Sequence, residues 1–131
     1  MSEPTFIDTN VDQYWFLDDK LHRDEIDPQT GLTLPAIIYT NGDQYWYQDG
    51  KCHRDEIDPQ TGLTLPAFIS ANGNQKWYRD GKNHRDDCDP TSGLTLPAII
   101  KGNHAEWWIN GEKVRECDDY RPIIRIKSAK Y

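Results

Sequence analysis

Short apolar or aromatic runs alternate along this chain with Gly, Pro, Asn and Asp, and the alternation recurs. In DQYWYQDGKCHR (43–54), two β-favouring runs flank Asp49-Gly50. Asp-Gly between such runs predicts a β-hairpin. Asn41-Gly42 and Asn72-Gly73 predict a second turn, between LPAIIY or LPAFIS and the strand that carries a tryptophan. Asp58-Pro59 with Gly62, and Asp89-Pro90 with Gly93, predict a third, because Pro fixes φ and Gly accepts positive φ. Pro and Gly fall every few residues, so no window suits a helix of ordinary length. Period-two alternation puts Trp46 on one side of its strand and Tyr45 and Tyr47 on the other, so both faces carry aromatics. The predicted fold is all-β: an elongated antiparallel hairpin meander or solenoid, with DEIDPQTGLTL inserted in each unit as an extended hairpin arm.

The unit repeats with a period of 31 residues. HRDEIDPQTGLTLPAII (22–38) returns at 53–69 with one difference in 17, and at 84–100 with four. His22, His53 and His84 keep the beat, as do Pro35, Pro66 and Pro97, and Trp15, Trp46, Trp77 and Trp108. Pro4 extends the proline series toward the N-terminus. The expected division is a partial repeat at 1–13, repeats at about 14–44, 45–75 and 76–106, and a shortened capping repeat at 107–131, together one repeat domain. In the capping repeat Arg115 is expected to stand in for the histidine, and the DPxxGLTL stretch is missing. Atypical terminal repeats are what a stack needs as caps.

Composition changes this picture in one respect. Of 131 residues, 25 are Ile, Leu, Val or Phe, or 19%. A share that low beside a net charge of −7 is ordinarily a warning of disorder. Five Trp and seven Tyr argue the other way, for a folded chain held by aromatics. The charge is uneven: 121–131 holds four basic and no acidic residues, so 1–120 carries −11. An acidic body is a poor partner for nucleic acid. No apolar run is long enough to span a bilayer as a helix, and MSEPTFIDTN has neither the basic nor the apolar part of a secretory signal. Three cysteines are too few for a disulfide scaffold, so reduced thiols inside a cell are expected.

The motif W-Y-x-x-G-K-x-H-R…P-A-x-I, seen as WYQDGKCHR…LPAFI and WYRDGKNHR…LPAII, resembles the aromatic-Gly-His repeats of giant DNA viruses of amoebae (marseillevirus-like or mimivirus-like). Those are similar to MORN (membrane occupation and recognition nexus) repeats, which pair one hairpin per unit into an elongated twisted sheet. The resemblance covers 4–126, with the DEIDPQTGLTL arm as its departure from the family's shorter unit. It implies scaffolding and protein–protein contact without catalysis, in a virion or the host cytoplasm, with viral or host proteins as partners and a membrane surface as the weaker setting.

The chemical readings of the residues point the same way. Equivalent histidines two strands apart would lie roughly 9.6 Å from one another. Two nitrogens on one zinc are at most about 4.2 Å apart, so the His ladder cannot chelate across repeats. The Asp-rich arm lacks the spacing of a calcium loop, and its Asp residues fit turn chemistry. No phosphate cradle, nucleophile elbow or HExxH motif is present, and each carboxylate is copied from repeat to repeat, as a packing role would require. The reading is no catalytic residue, no metal and no cofactor. The alternative is a binding module whose aromatic hairpin faces take a quaternary amine, a glycan or a lipid headgroup. Open sheet edges invite pairing with a second chain. Pro122, Ile123, Ile124, Arg125 and Ile126 form a candidate end strand with a basic tail, so a homodimer is expected through end-strand or arm contacts.

Overall fold

Each Asp-Gly pair fixes where two strands turn back. Asp49 and Gly50 have φ of 51° and 82°, Asp80 and Gly81 51° and 81°, and Asn110 and Gly111 50° and 84°. Two successive positive φ values match the right-handed twist of a tight hairpin. The computed structural model describes residues 2–121, and those residues are all-β, with no helix among them. The strands are β1 (Phe6–Ile7), β2 (Gln13–Tyr14), β3 (Phe16–Leu17), β4 (Lys20–Leu21), β5 (Ile37–Ile38), β6 (Gln44–Tyr45), β7 (Tyr47–Gln48), β8 (Lys51–Cys52), β9 (Phe68–Ile69), β10 (Gln75–Lys76), β11 (Tyr78–Arg79), β12 (Lys82–Asn83), β13 (Ile99–Lys101), β14 (His104–Ile109) and β15 (Glu112–Cys117).

Nine of them form one antiparallel sheet, in the order β1-β2-β5-β6-β9-β10-β13-β14-β15. The pairs β3–β4, β7–β8 and β11–β12 are separate hairpins. The strand expected to run through each tryptophan is therefore broken at Trp15, Trp46 and Trp77 (β6 ends at Tyr45 and β7 begins at Tyr47), whereas β14 continues through Trp107 with only a register shift. At the break the Trp15, Trp46 and Trp77 amides donate to the carbonyls of Ala36, Ala67 and Ala98, at 2.8, 2.8 and 2.7 Å. These alanines are fully buried, so a larger side chain has no room at that position. The hairpins hydrogen-bond to one another in turn, Gly50 N to Leu21 O, Gly81 N to Cys52 O and Gly111 N to Asn83 O, at 2.8–2.9 Å.

The inserted arms are closed loops. In the first, Asp27 N donates to Leu32 O and Leu34 N to Glu25 O, with a bridge between Ile26 and Thr33. The same pattern holds for 57–65 and 88–96. The core is thin and aromatic. Trp46, Cys52 and Ala67 are buried together, with Tyr45, Tyr47, Ile69 and Tyr78 packed on them.

The capping repeat departs from the 31-residue beat by one residue. Ile69 and Trp77 are joined by SANGNQK, but Ile100 and Trp107 by the shorter KGNHAE. Trp107, not Trp108, therefore takes the buried place of Trp15, Trp46 and Trp77. Trp108 is half-buried and sits where Tyr78 sits in the repeat before: its carbonyl accepts Arg85 N, as that of Tyr78 accepts Arg54 N. The one-residue slip also corrects the reading of Arg115. It takes the place of Arg23, Arg54 and Arg85, not of a histidine, because its guanidinium lies over the Trp107 ring.

Candidate functional site

The repeated residues converge on a ladder at each repeat boundary. Arg23, Arg54 and Arg85 lie over Trp15, Trp46 and Trp77, with guanidinium carbon to ring centroid distances of 3.7, 4.0 and 3.8 Å. Each arginine donates to the carbonyl of Pro35, Pro66 or Pro97 at 3.0–3.1 Å. Each also pairs with the acid two residues on, Glu25, Glu56 or Asp87. That acid then accepts the backbone N–H and hydroxyl of Thr33 (for Glu56) or Thr64 (for Asp87) in the preceding arm. Glu25 accepts the same two donors from Ser2. The Arg23 and Ser2 donors hold the Glu25 carboxyl down at about 2. The indole Nε1 of Trp46, Trp77 and Trp107 donates to the carbonyls of Thr33, Thr64 and Thr95 at 2.8–2.9 Å. The Trp15 Nε1 is buried without a hydrogen-bond partner among the described residues.

The histidines form a second ladder. The Nδ1 atoms of His22, His53 and His84 accept the backbone N–H of Asp49, Asp80 and Asn110 in the next hairpin, at 2.9–3.1 Å. For His22 and His53 an accepting Nδ1 leaves the N–H on Nε2, whereas the Nε2 of His84 also faces the Arg79 guanidinium at 3.2 Å. Each Nε2 faces an aspartate at 3.4–3.5 Å. A third ladder links the sheet turns: Asp12, Asp43 and Asn74 accept the N–H of Thr40, Ala71 and Gly102. The three ladders bring together every tryptophan, histidine and proline picked out by the repeat except Trp108 and Pro4. Pro122, Ile123, Ile124, Arg125 and Ile126 lie outside the described residues.

Two clefts and one side-chain cluster remain. A polar cleft of about 350 Å³ beside Trp46 is lined by Gln48, Lys51, His53, Asp55 and Asp80. An apolar groove of about 640 Å³ runs between the second and third arms, lined by Leu63, Leu65, Pro66, Pro90, Leu96 and Tyr120. At the last hairpin, His104, Glu106, Glu116 and Asp118 meet, with His104 Nε2 at 2.9 Å from Glu106 and Nδ1 at 2.6 Å from Asp118. The two carboxylates pull the His104 pKa up, and His104 holds that of Glu106 down. His104 lies off the histidine beat, and its acids meet it only through β14–β15 pairing, which a repeat-based reading does not see.

The Cys52 thiol is pushed up to about 12 by burial, so it stays protonated at neutral pH. No family model, no curated protein and no solved structure matches this chain. Its reading therefore rests on its own geometry.

Proposed function

We propose that this protein is a non-enzymatic repeat scaffold for protein–protein assembly, acting as a homodimer. The observation that carries this is how the repeated groups are used. The Trp indoles, the histidines and the paired acids make contacts between adjacent repeats, and Arg and Pro brace the tryptophan within each repeat. Apolar side chains face solvent on the arms, where Ile26 and Ile57 are each 50% exposed at equivalent positions and Leu94 is 68% exposed, and at the N-terminal edge, where Phe6 and Ile7 are 53% and 51% exposed. Beside the arms lies the groove that ends at Tyr120. Exposed apolar surface that recurs in register suits a partner that is itself extended. The MORN-like likeness favours a viral particle as the setting, which the protein's abundance in purified particles, compared with infected cells, would test.

The ligand-binding alternative has less support. A quaternary amine needs an open aromatic face, and each spine tryptophan already carries an internal guanidinium there. Light scattering at micromolar protein is expected to give twice the mass of one chain. Substituting Ile26 and Ile57 with Glu together, or removing 121–131, should shift it toward one. The mass of a single chain for the unaltered protein overturns the dimer.

A further inference from the structure

We propose that His104, Glu106 and Glu116 form a binding site for one divalent transition-metal ion of the zinc type, with Asp118 holding the imidazole in place. The two strands of the last hairpin build it. His104 and Glu106 are two residues apart on β14 and share a face, and Glu116 on β15 is the direct cross-strand partner of Glu106. The opposite face of β14 carries the buried Ala105 and Trp107.

A neutral imidazole has one N–H and one lone pair. Both nitrogens of His104 face carboxylate oxygen: Nδ1 is 2.6 Å from Asp118, and Nε2 is 2.9 Å from Glu106 and 3.8 Å from Glu116. Flanked by carboxylates on both sides, the ring favours the imidazolium, which donates from Nδ1 to Asp118 and from Nε2 to Glu106. A divalent cation that displaces the Nε2 proton takes over its lone pair and the facing carboxylate oxygens, while the Nδ1 N–H still donates to Asp118. This differs from His22, His53 and His84, whose Nδ1 is taken by a backbone N–H.

The distances fit an ion. Ligand atoms about 2.1 Å from zinc stand about 3.0 Å apart in octahedral geometry and about 3.4 Å apart in tetrahedral. The three ligand atoms lie within 4.8 Å of one another, and the separations from Nε2 to Glu106 and Glu116, 2.9 and 3.8 Å, bracket the tetrahedral value.

Each ligand is also held at its far atom. His104 Nδ1 is held by Asp118, Glu106 Oε1 by the Trp108 indole N–H at 2.8 Å, and Glu116 Oε1 by Lys113 at 3.2 Å. The near atoms are left facing one another. Outer partners that fix the ligand tautomer and orientation are what a metal site requires. One nitrogen and two carboxylate oxygens suit zinc or manganese, and a water completes the shell. An ion here clamps β14 to β15 at the end of the sheet.

Calorimetric titration of the full chain with zinc, after chelator treatment and with the thiols blocked, tests this. One zinc per chain is expected to bind saturably and to raise the melting temperature. His104→Ala and Glu116→Gln should each weaken binding by about tenfold or more, and His53→Ala should leave it unchanged. Glu116 is exposed, so its variant keeps the fold even where His104→Ala does not. In saturating zinc, the ring nitrogens of His104 followed by NMR should show a metal-bound Nε2. No saturable binding up to millimolar zinc, unweakened binding in Glu116→Gln, or an imidazolium with two N–H groups in saturating zinc would each overturn the site.

Discussion

Trp107 and Trp108 stand side by side, and only one of them belongs to the spine. Trp107 is 7% exposed, donates its indole N–H to Thr95 O and lies under Arg115. Trp108 is half-buried and donates to Glu106. Trp46→Ala should therefore cost about 3–5 kcal/mol, the range for deleting a buried aromatic. Trp108→Ala should cost clearly less, with Trp107→Ala close to Trp46→Ala. Urea midpoints of the three variants check the order, and equal losses at 107 and 108 would refute the reassignment. The sequence alone shows that one tryptophan per repeat carries the packing, because the beat runs without a gap through Trp15, Trp46 and Trp77. It hides the slip, because a one-residue shortening that lands on a second tryptophan leaves the beat looking intact. Arg115 is misread for the same reason. The arginine cover was hidden too: the motif shows Arg next to His, but only the folded arm turns that guanidinium back onto the indole.

Hairpins joined to hairpins are the units that histidine couples. His53 Nδ1 accepts Asp80 N–H at 2.9 Å near solvent, whereas His84 Nδ1 accepts Asn110 N–H with its own side chain only 7% exposed. Water replaces the lost acceptor more readily at Asp80. His53→Ala should then cost about 0.5–1.5 kcal/mol, and His84→Ala more, toward the penalty for an unsatisfied buried donor. Thermal melts of the two variants test it, and a larger loss for His53→Ala contradicts the ladder. The hairpins and arms were legible because their turns are written in Asp-Gly, Asn-Gly and Asp-Pro. The break of the strand at Trp15, Trp46 and Trp77 was not. Alternation describes a strand that continues, and the bend arises only because the tryptophan amide finds an alanine carbonyl from the next unit.

As a whole the molecule is one continuous sheet with hairpins and arms added at a fixed interval. Equivalent strands β5, β9 and β13 begin at 37, 68 and 99. Such arrays behave as sums of units and nearest-neighbour contacts. Removing residues 40–70 would join Tyr39 to Ala71 and bring β10 to β5 as β6 now meets it. That shortened chain should fold with a β-type circular dichroism spectrum and unfold with a smaller denaturant slope. Failure of the shortened chain to fold would show that the repeats are not interchangeable. The low aliphatic content was legible as a thin aromatic core, since four buried tryptophans with alanine beneath leave little for Leu and Val to fill. The zinc-type cluster was not, because it depends on which residues the last hairpin pairs, and no beat marks it.

The ladder hydrogen bonds that cross repeat boundaries share one further property: they join residues only 12 to 28 apart. Each indole and each paired acid reaches back to a threonine in the arm just before it, while each histidine and each turn aspartate waits for a backbone N–H in the unit just after. During synthesis on a ribosome, half of every boundary finds its partner already made, and the other half needs less than one more unit to emerge. Short closures of this kind fold quickly. At any moment of translation, the unfinished surface is about one repeat wide, however many repeats such a chain contains.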